Sequence, residues 1–220
     1  MTYIENVYIC LAAPLLVAII ATKNRDRRMV VFLHSGMTAC ILSSYISTFL
    51  ALVNGLDKLM ASLTISPIVE EFMKLIPVLF FILVFEPAPE QVPGCVVITA
   101  VGFATFENVC YMAQNGTTQL LRLLIRGFGT GAMHVVCASL VALGMLLLLD
   151  KLWLRVAGTF GLMAVAITYH GIYNMLVSQE GISAYTGYAA PMLTAALYFI
   201  LAHKRPAKKP DSPGTKASPA

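Results

Sequence analysis

Long apolar runs dominate this chain and restrict it to one kind of fold. Of its 220 residues, 58% are hydrophobic and only 12% are charged, whereas soluble domains carry about 25% charged residues. A helix that spans a bilayer needs about 20 mostly apolar residues. We identify seven such segments in the sequence: 5–22, 30–53, 66–86, 93–113, 124–149, 153–177 and 185–202. The sequence therefore predicts an all-α polytopic membrane bundle of about seven transmembrane helices.

The apolar runs are too long for the alternating strands of a membrane β-barrel, and an open sheet would leave backbone polar groups unpaired in lipid. We expect one transmembrane domain over residues 1–202 and a tail over 203–220. The tail is rich in Pro, Ser and Gly. It contains five Lys and Arg residues and one Asp, and this balance accounts for the whole net charge of +4. Such a composition predicts a disordered, basic, cytoplasmic segment.

Positive charge predicts the orientation of the bundle. Basic residues cluster at 23–28, around 150–155 and in the tail, and cytoplasmic loops carry the excess of Lys and Arg. Seven spans put these three regions on one side of the membrane, with the N-terminus outside and the C-terminus in the cytoplasm. Arg122 and Arg126 fall on the outer side and break this rule, so we expect them on an interfacial turn or inside the protein.

Ionisable residues interrupt the apolar runs, although a charged residue at the bilayer centre costs roughly 2.5–3.5 kcal/mol on insertion scales. The predicted topology places them in the outer half of the membrane, on four different helices. They are Glu70, Glu71, Lys74, Glu107, His134 and His170. Agreement in depth across four helices favours a common site over unrelated structural residues.

A purely structural role is also consistent with each of these residues. Lys74 lies four residues after Glu70 and can pair with it on one helical face. Glu107 can balance Lys74 or a nearby arginine. His170 and Asn174 share one helical face and can form hydrogen bonds between helices.

The set also supports catalysis. A carboxylate beside an imidazole can deprotonate a water molecule, and a His and an Asn on one face can donate to a developing oxyanion. Glu and His are ordinary zinc ligands, so a metal site is the alternative. We expect no cofactor; the alternative is zinc. The ligands in that alternative are Glu70, Glu107, His134 and His170.

Four motifs occur in order along the chain. They are Glu70-Glu71-Phe72-Met73-Lys74 (EExxK), Phe103 to Glu107 (FxxxE), His134, and His170 to Asn174 (HxxxN). In their order and their placement on successive helices, the motifs resemble those of the PrsW family of intramembrane proteases. These proteases are relatives of the CaaX endopeptidase and bacteriocin-processing (CPBP) superfamily. The resemblance covers about residues 60–180, the expected catalytic core.

The resemblance implies a glutamic-type endopeptidase in the bacterial cytoplasmic membrane that cleaves a membrane-anchored protein near the outer face, as with anti-sigma factors. It implies that Glu70 and Glu71 hold the catalytic carboxylate, which activates water. Glu107 stands where the CaaX relatives carry a histidine, so the imidazole role falls to His134. His170 and Asn174 are expected to stabilise the oxyanion. Lys74, Phe103 and Tyr111 are expected to have supporting roles in the site.

Two other functions remain open at the level of sequence. Intramembrane acids and histidines also mark proton pathways, so a proton-coupled transporter or channel is the alternative. A third hypothesis is a non-catalytic scaffold that binds single-pass membrane proteins. The expected partners are membrane lipids and a single-pass or membrane-anchored substrate. Nucleic acid is not expected, because no aromatic residues interleave with the basic tail.

Overall fold

The computed structural model describes residues 4–116, 120–147 and 152–203, and these residues form eight α-helices and no strand. A short 3-10 helix, Pro89–Gln91, precedes α5. The α-helices, in chain order, are α1 Ile4–Ala21, α2 Asn24–Val53, α3 Lys58–Thr64, α4 Ser66–Phe85, α5 Val92–Asn115, α6 Leu120–Leu147, α7 Leu152–Val177 and α8 Ile182–His203. The predicted all-α bundle is confirmed.

Each of the seven predicted segments folds as a long helix, and the bounds differ from the prediction by a few residues, six at most. The sequence did not predict α3, which has only seven residues. Asp57 caps this helix, because its side chain accepts a hydrogen bond of 2.8 Å from the backbone N–H of Met60. The predicted tail lies outside the described residues except at its first position, as does the predicted loop at Asp150-Lys151.

Five helical stretches are long and apolar enough to cross a membrane: Ile4–Ala21, Asn24–Val53, Pro89–Asn115, Leu120–Met145 and Val156–Val177. The chain is therefore a multi-pass membrane protein. Among the seven predicted spans, α4 falls outside this set because it carries Glu70, Glu71 and Lys74. Two of these three side chains are buried against other helices rather than turned to lipid. The last predicted span, α8, is not in the set either.

Helix α4 begins without a side-chain cap. Ser66 is its first helical residue, and Ile65 occupies the N-cap position without a side-chain hydrogen bond. Pro67 lies in the first turn, where its missing N–H leaves no helical hydrogen bond unmade. Ile65 itself has α-helical backbone angles, so α4 follows α3 after a single residue, and the two glutamates lie within the first two turns of α4.

Helices α2 and α5 bring their backbones into close contact at two glycines. A Cβ atom added to Gly36 of α2 would lie 2.0 Å from the carbonyl oxygen of Thr99, and one added to Gly102 of α5 would lie 2.1 Å from that of Leu33. Small residues permit such contacts between membrane helices. This packing fixes α5, and with it Glu107, against the bundle.

An apolar core fills the space between α4, α5, α6 and α7. Its most deeply buried members include Val78, Ala100, Met133 and Ala166, each no more than 1% exposed. Val78 lies one turn after Lys74, and Met133 directly precedes His134, so this core borders the ionisable residues.

We predict that Gly36→Ala lowers the free energy of unfolding by about 3 kcal/mol, because the new methyl group can fit only if α2 and α5 separate. Thermal unfolding of the detergent-solubilised protein measures the effect. Gly161→Ala in α7 is the control, since nothing lies within 4 Å of its added Cβ. Equal melting temperatures for the two variants would contradict the close packing.

Candidate active site

The ionisable residues from four helices meet inside the bundle. Helices α4, α5, α6 and α7 follow one another in the chain, with no more than six residues between neighbouring helices. Glu70 and Glu71 lie early in α4, Glu107 lies late in α5, His134 lies near the middle of α6, and His170 lies late in α7. Side-chain contacts join all of them into one connected network.

Lys74 is the centre of the network. Its Nζ lies 2.7 Å from Glu71 Oε1 and 2.9 Å from His134 Nδ1. The sequence suggested that Lys74 pairs with Glu70, four residues earlier, and this is wrong. Glu71, three residues earlier, is the partner, because Glu71 and Lys74 both turn inward and are only 2% and 5% exposed.

One branch of the network runs from Lys74 through His134 to Glu107. A protonated lysine has only hydrogens to offer, so His134 Nδ1 accepts and its proton is on Nε2. The Nε2–H then donates to Glu107 Oε2 over 2.6 Å. Both imidazole nitrogens of His134 are therefore engaged.

Glu107 is held from its other side by Arg126, whose Nη2 lies 3.1 Å from Glu107 Oε1. Arg126 also donates to the side-chain oxygen of Asn108. The guanidinium lies 3.9 Å from the ring centre of Tyr111, close enough for a cation–π contact. Of the two arginines that break the charge rule, Arg126 thus faces the protein, whereas Arg122 is exposed.

The second branch runs from Lys74 through Glu71 to His170. Because a carboxylate only accepts, His170 Nδ1–H donates to Glu71 Oε1 over 2.8 Å. In the neutral imidazole the lone pair is then on Nε2, which lies 3.6 Å from Glu70 Oε2. Glu70 Oε2 is buried and has no hydrogen-bond partner among the described residues. Two acceptor atoms therefore face each other.

Aromatic packing restricts the two imidazoles. The Phe103 ring is fully buried, and its centre lies 4.9 Å from that of His134. The rings of His134 and His170 meet edge to face, with centres 5.1 Å apart and planes at 90°. Phe103, which the sequence placed among the supporting residues, thus contacts the site directly.

Asn174 is on the predicted face of α7, but its amide contacts the backbone. Its Nδ2 donates to the carbonyl oxygen of Ser62 over 2.9 Å, which ties α7 to α3. The preceding residue, Tyr173, shares a hydrogen bond of 2.7 Å with Thr130 of α6. Sequence reasoning missed α3 and these two contacts. Asp57 before an apolar stretch was the one local signal for α3.

Three groups of the site could hold a metal ion. One ligand atom each from Glu70, His134 and His170 lies within 4.8 Å of the others. Glu107, the fourth residue of the set suggested by the sequence, is not in this group, and it is already bonded to His134 and Arg126. When the imidazoles are neutral, three carboxylates face two cations, so the site carries a net charge of −1 and favours a proton or a metal cation.

We predict that Lys74→Met destabilises the protein by about 3–5 kcal/mol, because it leaves the Glu71 carboxylate buried without a cation. The double variant Glu71→Gln/Lys74→Met should recover much of this loss, since both charges are gone. Thermal unfolding in detergent compares the variants. Lys58→Met, on an exposed lysine of α3, is the control. The pairing would be refuted by a single variant that melts like the control.

One of three comparisons with known proteins gives a match. The family model described as PrsW family intramembrane metalloprotease matches residues 24–202. No curated protein and no solved structure shows a significant match to the chain. The matched region covers most of the chain and includes every residue of the network described above. The chain therefore belongs to the PrsW family of intramembrane proteases.

Proposed function

We propose that the protein is an endopeptidase that hydrolyses a membrane-anchored protein with water activated between Glu70 and His170. The observation that carries this proposal is the pair of acceptors, Glu70 Oε2 and His170 Nε2, which lie 3.6 Å apart. A water molecule between them would donate one hydrogen to each atom. Glu70 Oε2 would then gain the partner that it lacks among the described residues.

In the proposed reaction, Glu70 accepts a proton from this water while the water oxygen attacks the carbonyl carbon of the peptide bond. The C–N bond then breaks, and Glu70 returns the proton to the leaving amine nitrogen. General acid–base catalysis of this kind contributes about 10²–10⁴ in rate. No covalent enzyme intermediate is needed, and the electrons of the broken bond stay on nitrogen.

The other network residues position this pair. Glu71 fixes the His170 tautomer, so that the lone pair of Nε2 faces the water. Lys74 neutralises Glu71. Glu107 and Arg126 hold His134, whose ring supports that of His170. In this tautomer His170 has no Nε2 hydrogen, and the Asn174 amide is bonded to Ser62, so we assign neither residue to the oxyanion.

A metal-dependent version of the same hydrolysis uses the same residues, and two observations favour it. Two ligands at about 2.1 Å in a tetrahedral zinc site lie about 3.4 Å apart, close to the 3.6 Å between Glu70 Oε2 and His170 Nε2. The family model is also described as a metalloprotease. Glu70, His134 and His170 would hold the ion, and zinc, when bound, would act as a Lewis acid that makes a water molecule more acidic. His134 would then have to give up one of its present hydrogen bonds.

We propose that the protein lies in the bacterial cytoplasmic membrane. Its N-terminus and the catalytic network would then lie towards the outer face. The three basic regions of the sequence support this orientation through the positive-inside rule. A single-pass protein of the anti-sigma-factor type is the proposed substrate, on the basis of the family resemblance. The relation to the CaaX endopeptidases stays a prediction from the order of the motifs.

A proton-coupled transporter would need ionisable groups along a path through the membrane. The connected network of the described residues instead converges on one pair of acceptors. Together with membership of a protease family, this arrangement favours hydrolysis.

We predict that Glu70→Gln lowers the rate of proteolysis about 10²–10⁴-fold, because an amide cannot accept the proton. Membranes that contain the wild-type protein or the variant can be compared by mass spectrometry of newly formed protein N-termini. Glu90→Gln, on an exposed glutamate between α4 and α5, is the control. The mechanism fails if the Glu70 variant and the control generate the same termini at the same rate.

Metal content separates the two versions of the mechanism. If zinc is held by the three groups, the purified wild-type protein contains one zinc per chain, and His170→Gln loses it while remaining folded. Elemental analysis gives the content, and thermal unfolding checks the fold. Full activity in protein that is free of metal would leave Glu70 and His170 as the sole activators of water.

A further inference from the structure

A cavity of about 590 Å³ opens at the end of the bundle near the site, where α6 begins, α7 ends and α8 begins. Its volume lies in the range of roughly 300–1,000 Å³ that is usual for ligand pockets. Leu120, Leu121, Arg122, Glu180, Tyr185 and Tyr188 are among its lining residues. None of these residues belongs to the proposed catalytic network.

The cavity carries charges of both signs that are available for a ligand. Arg122 and Glu180 both line it and are both exposed, and neither forms an ion pair with any described residue. Leu121 and Tyr185, at 71% and 65% exposed, form an apolar and aromatic margin. Tyrosine beside apolar residues at helix ends is typical of the membrane–water interface.

Polar residues occupy every fourth position of α6 between the cavity and the site. Arg122, Arg126, Thr130 and His134 follow one another at intervals of four residues, so each neighbouring pair shares a face, while the row turns about 40° around the helix at each step. Arg122 and His134 are twelve residues apart, or about 18 Å at 1.5 Å per residue. An extended peptide at about 3.3 Å per residue covers that distance with five to six residues.

The wall of the cavity also contacts the helix that carries this row. Tyr188 of α8 packs against Gly129, where an added Cβ would lie 2.8 Å from Tyr188 Cδ1. Tyr188 also lies beside Tyr173, with ring centres 6.0 Å apart, and Tyr173 bonds to Thr130 in the row. Tyr188 and Tyr173 thus connect the wall of the cavity to α6 one turn before His134.

We propose that the cavity binds the polar segment next to the membrane helix of a single-pass substrate, with an acidic side chain against Arg122. The acidic residue lies about five to six residues from the cleaved bond, given the 18 Å along α6. Glu180 pairs with a basic residue of the same segment. The proposal deepens the proposed function and rests on it, because it defines which substrates that site receives.

A binding test does not require cleavage. The probes are two synthetic peptides, each with one membrane helix followed by a flexible polar segment. The two peptides differ at one position of the polar segment, which is Asp in one peptide and Lys in the other. They are incorporated into vesicles with the Glu70→Gln protein, which carries a photo-crosslinking residue at Ala184 in the cavity. We expect the Asp peptide to crosslink about fivefold more than the Lys peptide, as for one partly exposed ion pair.

Arg122→Glu should reverse this preference, whereas Lys58→Glu, the same charge change on an exposed lysine of α3, should leave it unchanged. A crosslinker at Leu83, 74% exposed near the other end of α4, should show no preference. Equal crosslinking of the two peptides, a preference that survives Arg122→Glu, or capture of lipid alone would each overturn the proposal.

The outcome can be separated from that of the proposed function. A charge preference in crosslinking without any cleavage by the wild-type protein would support the cavity and refute the protease mechanism. Cleavage without the preference would refute only the cavity's role.

Discussion

The contact of Lys74 with both Glu71 and His134 is the interaction on which the site depends. A lysine so deeply buried is costly unless it is paired, and its two partners at 2.7 and 2.9 Å lie on different helices. Because an ammonium group only donates, it assigns the proton of His134 to Nε2. Through Glu71 it also determines which nitrogen of His170 is free. One cation thus sets the hydrogen-bond direction in both branches of the network.

Helix packing supplies the precision that this network needs. The contact of Gly36 and Gly102 with the facing backbones positions α5 relative to α2, and the apolar core fixes α4, α6 and α7 around it. The bond from Asn174 to Ser62 attaches the end of α7 to α3, just before α4 begins. Carboxylates and imidazoles from four helices can therefore meet within hydrogen-bond distance in a setting with little competing water.

The sequence predicts the long helices well because their signal is local, namely about 20 apolar residues in a row. It also identifies the residues of the network, since ionisable groups are conspicuous in apolar runs. The sequence does not show which of these residues pair with one another. Glu70 and Glu71 both lie within one turn of Lys74, and only the rotation of α4 in the bundle determines that Glu71 pairs with it. Likewise, the bond of Asn174 to Ser62 joins residues 112 positions apart, which no local pattern encodes.

The network holds the two histidines in opposite tautomers and so presents His170 Nε2 to Glu70. Nitrogen-15 magnetic resonance of the histidine rings in the membrane-embedded protein measures this directly, with His134 and His170 assigned by single substitutions. The structure predicts a proton on Nε2 of His134 and on Nδ1 of His170. A His170 ring with its proton on Nε2, or the same tautomer at both residues, would contradict this arrangement of hydrogen bonds.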